Sequence, residues 1–112
     1  MASYSVSAGR VIDASPQSVF DLLRYYREGH TRILPPEFFI GIDVVEGGCG
    51  AGTVMLVQAK ALGRKRTYRL TVTEPAAGVI READEEAGVV TTFTVAPSGE
   101  RACVVTIGTE WR

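Results

Sequence analysis

Apolar and polar positions alternate with a period of two along most of this chain, the pattern of strands with one covered face. The stretch ACVVTIGTEWR, residues 102–112, shows it clearly. Cys103, Val105, Ile107, Thr109 and Trp111 fall on one side, and Val104, Thr106, Gly108 and Glu110 on the other. The same alternation predicts strands over 42–46, 53–62, 66–74, 79–84 and 89–96, separated by short turns rich in Gly and Pro. YSVSAGRVIDAS, residues 4–15, predicts a first strand that ends at Asp13. Between the first and second strands the period changes. Ser15 suits a helix N-cap and Pro16 the first helical position. In PQSVFDLLRYYREG, Val19, Phe20, Leu22, Leu23 and Tyr26 share one face, and Gly29 closes the helix. The following HTRILPPEFFIG, residues 30–41, is apolar but carries a Pro pair that forbids helix, so it is expected to pack down on something.

The alternation also assigns faces. Met55, Val57, Ala59 and Ala61 share a face with Tyr68, Leu70 and Val72, then Val89, Thr91, Phe93 and Val95, then Val105 and Ile107. A turn over 85–88 sets residue 84 opposite 89, 82 opposite 91 and 80 opposite 93. A turn over 75–78 sets 82 opposite 70 and 84 opposite 68. Both registers place Ile80, Glu82 and Asp84 on the apolar face, and a one-residue slip would reverse that. The expected architecture is α+β: a curved seven-stranded antiparallel sheet with an N-terminal helical segment between strands 1 and 2. One early helical segment is little cover for such a sheet.

At 112 residues, 46% hydrophobic and 22% charged, the composition is that of one ordinary globular domain over 1–112. A net charge of −1 removes bulk attraction to nucleic acid or anionic membrane. No apolar run reaches the ~18 residues of a membrane span, so no membrane insertion is expected. MASYSVSAGRVIDAS lacks the basic-then-apolar order of a signal peptide, which makes a cytoplasmic location the default expectation. Cys49 and Cys103 belong to no metal-binding cluster, and the chain has a single His, so neither a metal nor a cofactor is expected.

The segments VIDASPQSVFDLL (11–23), GGCGAGTV (47–54), RTYRLTVTEP (66–75) and DEEAGVVTTFTVAPSG (84–99) resemble the START-like (SRPBCC) superfamily, in its polyketide cyclase/dehydratase-like branch. The resemblance implies a sheet wrapped around a long C-terminal helix, with an apolar ligand held between the two. The sequence stops where that helix is due, so the expectation is a helix-grip fold without its final helix. A homodimer, or an exchange of elements between chains, would then cover the concave face.

Ligand binding on that face is the preferred reading, the ligand being a lipid, a polyketide-like molecule or an aromatic one. Met55, Val57, Leu70, Phe93, Val95, Val105 and Ile107 would line the site, with Tyr68 and Glu82 orienting the ligand. An enzyme of cyclase or dehydratase type is the first alternative, using Glu82 or His30 as acid or base with Tyr68 beside Asp84. Against it, carboxylates near a sheet edge are commonly solvated, and His30 would complement the helix dipole at the helix end. A protein-interaction module using the open face is the second alternative. Three other features read as structure rather than chemistry. GGCGAG lacks the Lys-Ser/Thr ending of a phosphate loop and leads into a strand, so it predicts a turn needing positive φ. In GRKRTYR, Arg66 is expected opposite Glu86 as ordinary sheet pairing, not as a nucleic-acid patch. ILPPEFF is a gate, a partner surface or, more simply, a cap on one end of the core.

Overall fold

The computed structural model describes residues 4–25, 39–61 and 64–111. Seven strands run β1 (Tyr4–Ile12), β2 (Phe39–Glu46), β3 (Val54–Ala61), β4 (Arg64–Ala76), β5 (Val79–Asp84), β6 (Val89–Pro97) and β7 (Cys103–Trp111). One helix, α1 (Pro16–Arg24), lies between β1 and β2. All pairings are antiparallel, in the order β1-β7-β6-β5-β4-β3-β2. Strands 2 to 7 form a meander, and β1 closes on the far side of β7. The first two strands are therefore opposite edges, so the chain must pass across the sheet between Ile12 and Phe39.

Local chemistry explains the helix. Ser15 is extended, with φ −65° and ψ 148°, and its Oγ accepts from Ser18 N at 3.2 Å. Pro16 follows at the first helical position. The helix turns Val19 and Leu23 inward onto the sheet, where they join Met55, Val57, Leu70, Val72, Ile80, Phe93, Val95, Cys103 and Val105 in one buried cluster. It is shorter than the periodicity predicts. Instead of running to Gly29 it ends at Arg24, because Tyr25 leaves the helical region and bridges Cys49. Gly50 N then donates to the Arg24 carbonyl at 2.9 Å, satisfying an acceptor at the helix end.

Two expectations about register meet different outcomes. The β5–β6 ladder pairs Ile80 with Phe93, Glu82 with Thr91 and Asp84 with Val89, as the turn over 85–88 requires. The β4–β5 ladder pairs Val72 with Glu82, not residue 70 with 82. Strand β4 runs on through Pro75 to Ala76 and turns at Ala77-Gly78, with a bulge between Thr73 and Ala76. Pro cannot donate to a ladder and is accommodated at such a bulge. The error is two residues, one full side-chain period, so the face assignment survives it.

Candidate functional site

The inner face, the one α1 covers, is built of rungs that cross several strands. One rung runs Ile80, Phe93, Ile107 and Ala8 through β5, β6, β7 and β1. The rung beyond it runs Val72, Glu82, Thr91, Thr109 and Val6, starting one strand earlier at β4. The next brings Asp84, Val89 and Trp111 into line. The rung of Glu82, Thr91 and Thr109 thus lies between an apolar rung and one that pairs Val89 and Trp111 with Asp84. Glu82 is only 4% exposed, and Thr91 and Thr109 are half-buried. The two threonine hydroxyls are 2.9 Å apart and hydrogen-bonded across β6 and β7. Burial decreases outward along this rung, to Val6 at 49% exposed.

A cleft of about 690 Å³ opens where α1 crosses the sheet. Phe20, Val95 and Pro97 form its apolar side, and Arg24 and Glu74 a charged one. Val95 belongs to the inner face as well, opposite Val105. The Arg24 guanidinium lies 5.7 Å from the centre of the Phe20 ring and 2.9 Å, through Nε, from Glu74 Oε2. That hydrogen bond, opposed by desolvation and helped by the charge of Glu74, raises the Arg24 pKa above its usual value. The volume falls in the range of small-molecule sites, but the cleft is open and its lining is more polar than such sites usually have.

The side chains expected to line a ligand site share the inner face, and most are already covered. Met55, Val57, Leu70, Phe93, Val95 and Val105 are buried in the core cluster, whereas Ile107 remains 40% exposed. Glu82 is buried rather than solvated at the sheet edge. Tyr68 is half-buried opposite Val57, not opposite Asp84. It lies four residues along β4 from Val72, the partner of Glu82, or about 13 Å at strand spacing. Asp84 serves the hairpin: its Oδ1 accepts from Ala87 N at 2.9 Å and its Oδ2 from Arg69 N at 3.0 Å. His30 and most of ILPPEFF lie outside the described residues.

The remaining motifs resolve structurally. Arg66 is not paired with Glu86 as expected; its guanidinium sits 5.4 Å from the Tyr68 ring centre. The two-residue register shift moves β4 away from the pairing that would have joined them. In the glycine loop Gly47, Gly48, Gly50 and Gly52 all take positive φ. Cys49 is exposed and Cys103 buried, both as free thiols. Among the described residues no three His, Cys, Asp or Glu side chains gather as a metal site would need, and no helix is long and apolar enough to cross a membrane. The Thr91–Thr109 and Arg24–Glu74 pairs are new to the structure. Each joins positions 18 and 50 residues apart respectively, and only the strand registers bring them together.

No protein-family model and no curated protein matches the chain. Solved structures do. The KanY protein is 31% identical, superimposes with a TM-score of 0.87, and is matched over 100% of this chain and 76% of its own. A START superfamily protein from Mycobacterium smegmatis gives a TM-score of 0.77 at 14% identity, over 96% of this chain and 76% of its own. Norcoclaurine synthase from Thalictrum flavum, in complex with a transition-state analogue, gives 0.70 at 18% identity, over 97% and 75%. The last two likenesses are of fold alone. With a 31% identical relative matched over the whole of this chain and a seven-stranded antiparallel sheet partly covered by α1, the chain belongs to one family with the KanY protein, and its fold is START-like (SRPBCC).

Proposed function

We propose that this protein binds a small hydrophobic molecule (a lipid, a polyketide-like compound or an aromatic one) between the inner face of its sheet and α1. The observation that carries the reading is the register. It gathers apolar side chains from six strands on one wall, sets Glu82, Thr91 and Thr109 among them, and leaves an open cleft beside α1. Apolar walls with a few convergent polar groups hold ligands by area and orient them by hydrogen bonds. Ile107 and Trp111, 40% and 36% exposed, extend the wall toward β1 and supply surface that a ligand would cover. Catalytic use of Glu82 is no part of this proposal, since Tyr68, expected opposite Asp84 on the same face, lies about 13 Å along β4 from Val72, the partner of Glu82.

Native mass spectrometry of freshly purified protein tests the reading. A protein mass raised by a small-molecule adduct that organic solvent removes supports it. The other occupant of the same exposed strip is a second copy of the chain, as a homodimer. A dimer without adduct assigns the face to self-association and overturns the ligand reading.

A further inference from the structure

We infer that the Thr91–Thr109 hydroxyl pair is the polar subsite of the inner face, and that it selects ligands carrying one oxygen flanked on both sides by apolar parts. The inference rests on the ligand-binding reading above and names the class of molecule that reading would admit.

Shape alone does not call for these hydroxyls. The rungs on either side put Phe93 and Ile107, then Val89 and Trp111, at the same two strands. Valine has nearly the volume of threonine and would continue the apolar wall, without the cost of drawing a hydroxyl from water. The pair instead satisfies itself in part: one hydroxyl donates to the other across 2.9 Å. Two hydroxyls carry two O–H groups and four lone-pair sites, and the mutual bond uses one of each. The mutual bond leaves the pair one further O–H and several acceptor positions, on side chains that are only half-buried. The buried Glu82 stands at the inner end of the same rung, opposite Thr91, and keeps that end polar.

The spacing defines the ligand. Neighbouring rungs on one face are two residues apart, about 7 Å. A molecule lying along the strands would put one apolar part against the exposed Ile107, its oxygen at the threonines, and a second apolar part against the exposed Trp111. A hydroxyl or carbonyl suits this pair, which can both donate and accept.

Calorimetric titration with 9-hydroxyfluorene and fluorene, which differ by one central hydroxyl between two rings, tests the assignment. The wild-type protein is expected to prefer 9-hydroxyfluorene by about fivefold, the worth of one such hydrogen bond. In the T91V/T109V variant the preference is expected to vanish while fluorene affinity is retained. Thr109→Ser, which keeps the hydroxyl, retains the preference and so separates hydrogen bonding from packing. Equal affinities in the wild type, or a preference that survives in T91V/T109V, overturns the subsite but leaves the ligand reading standing. Failure of the wild type to bind either compound overturns the two together.

Discussion

Glu74 Oε2 accepts hydrogen bonds from Arg24 Nε and from Ala51 N, each at 2.9 Å. One carboxylate thus ties the end of α1 to the glycine loop, across a sequence separation of 50 on one side and 23 on the other. The helix that covers the inner face is positioned by this clamp together with the Gly50 N to Arg24 carbonyl bond.

Glu74→Gln keeps the shape and removes the charge. A charge-assisted hydrogen bond at a partly exposed site contributes about 1 kcal/mol, so the midpoint of thermal unfolding is expected to fall by about 4 °C. The pH dependence follows from the sign of the Arg24 shift. A cation whose pKa rises on folding, as that of Arg24 does, contributes stability that is fully present below its unfolded value, far above neutral pH. The difference between wild type and variant is therefore expected to be flat from about pH 6 to 10. Thermal melts at several pH values check both points.

Gly50 and Gly52 make a controlled comparison. Both have positive φ, 64° and 91°. A Cβ at Gly50 would fall against Glu74 Oε2 and Arg24 Nη2, whereas one at Gly52 would meet nothing within 4 Å. Gly52→Ala is expected to cost about 1 kcal/mol of backbone strain. Gly50→Ala adds disruption of the clamp, for about 2–4 kcal/mol in all. Chemical denaturation of the two variants measures the gap.

Asp84 gives a control for the site itself. Both its oxygens already accept backbone N–H bonds in and beside the turn. Asp84→Asn turns an amide donor toward one of those N–H groups and is expected to cost about 1–2 kcal/mol of stability. Its affinity for hydrophobic probes is expected to match the wild type. Denaturation and titration of the same preparation check the pair of outcomes.

What could be read in advance followed from local chemistry. Ser15-Pro16 starts the helix, and Gly88, at φ 72°, helps close the turn that sets Glu82 opposite Thr91. Period-two alternation assigned the inner face even where the register was wrong. Pro75 misled, because Pro is usually a turn signal, yet here it sits within β4 beside a bulge. That slip displaced Tyr68 from Asp84 and Arg66 from Glu86. Helix length was overestimated because Arg24 and Tyr25 are held by the distant loop at Cys49 and Gly50. The threonine pair and the Glu74 clamp were not legible at all, since each needs a tertiary register to exist.

The central claim is that the inner face binds a small hydrophobic molecule, and Ile107 offers the most direct test of it. Its side chain lies on that face and is 40% exposed, so a charge there is tolerated by the fold but not by an apolar ligand. The measurement is the affinity of N-phenyl-1-naphthylamine for wild-type protein and for Ile107→Glu, followed by probe fluorescence. Saturable one-to-one binding, weakened tenfold or more in the variant, is predicted. The absence of saturable binding, or equal affinity in the two proteins, would contradict it.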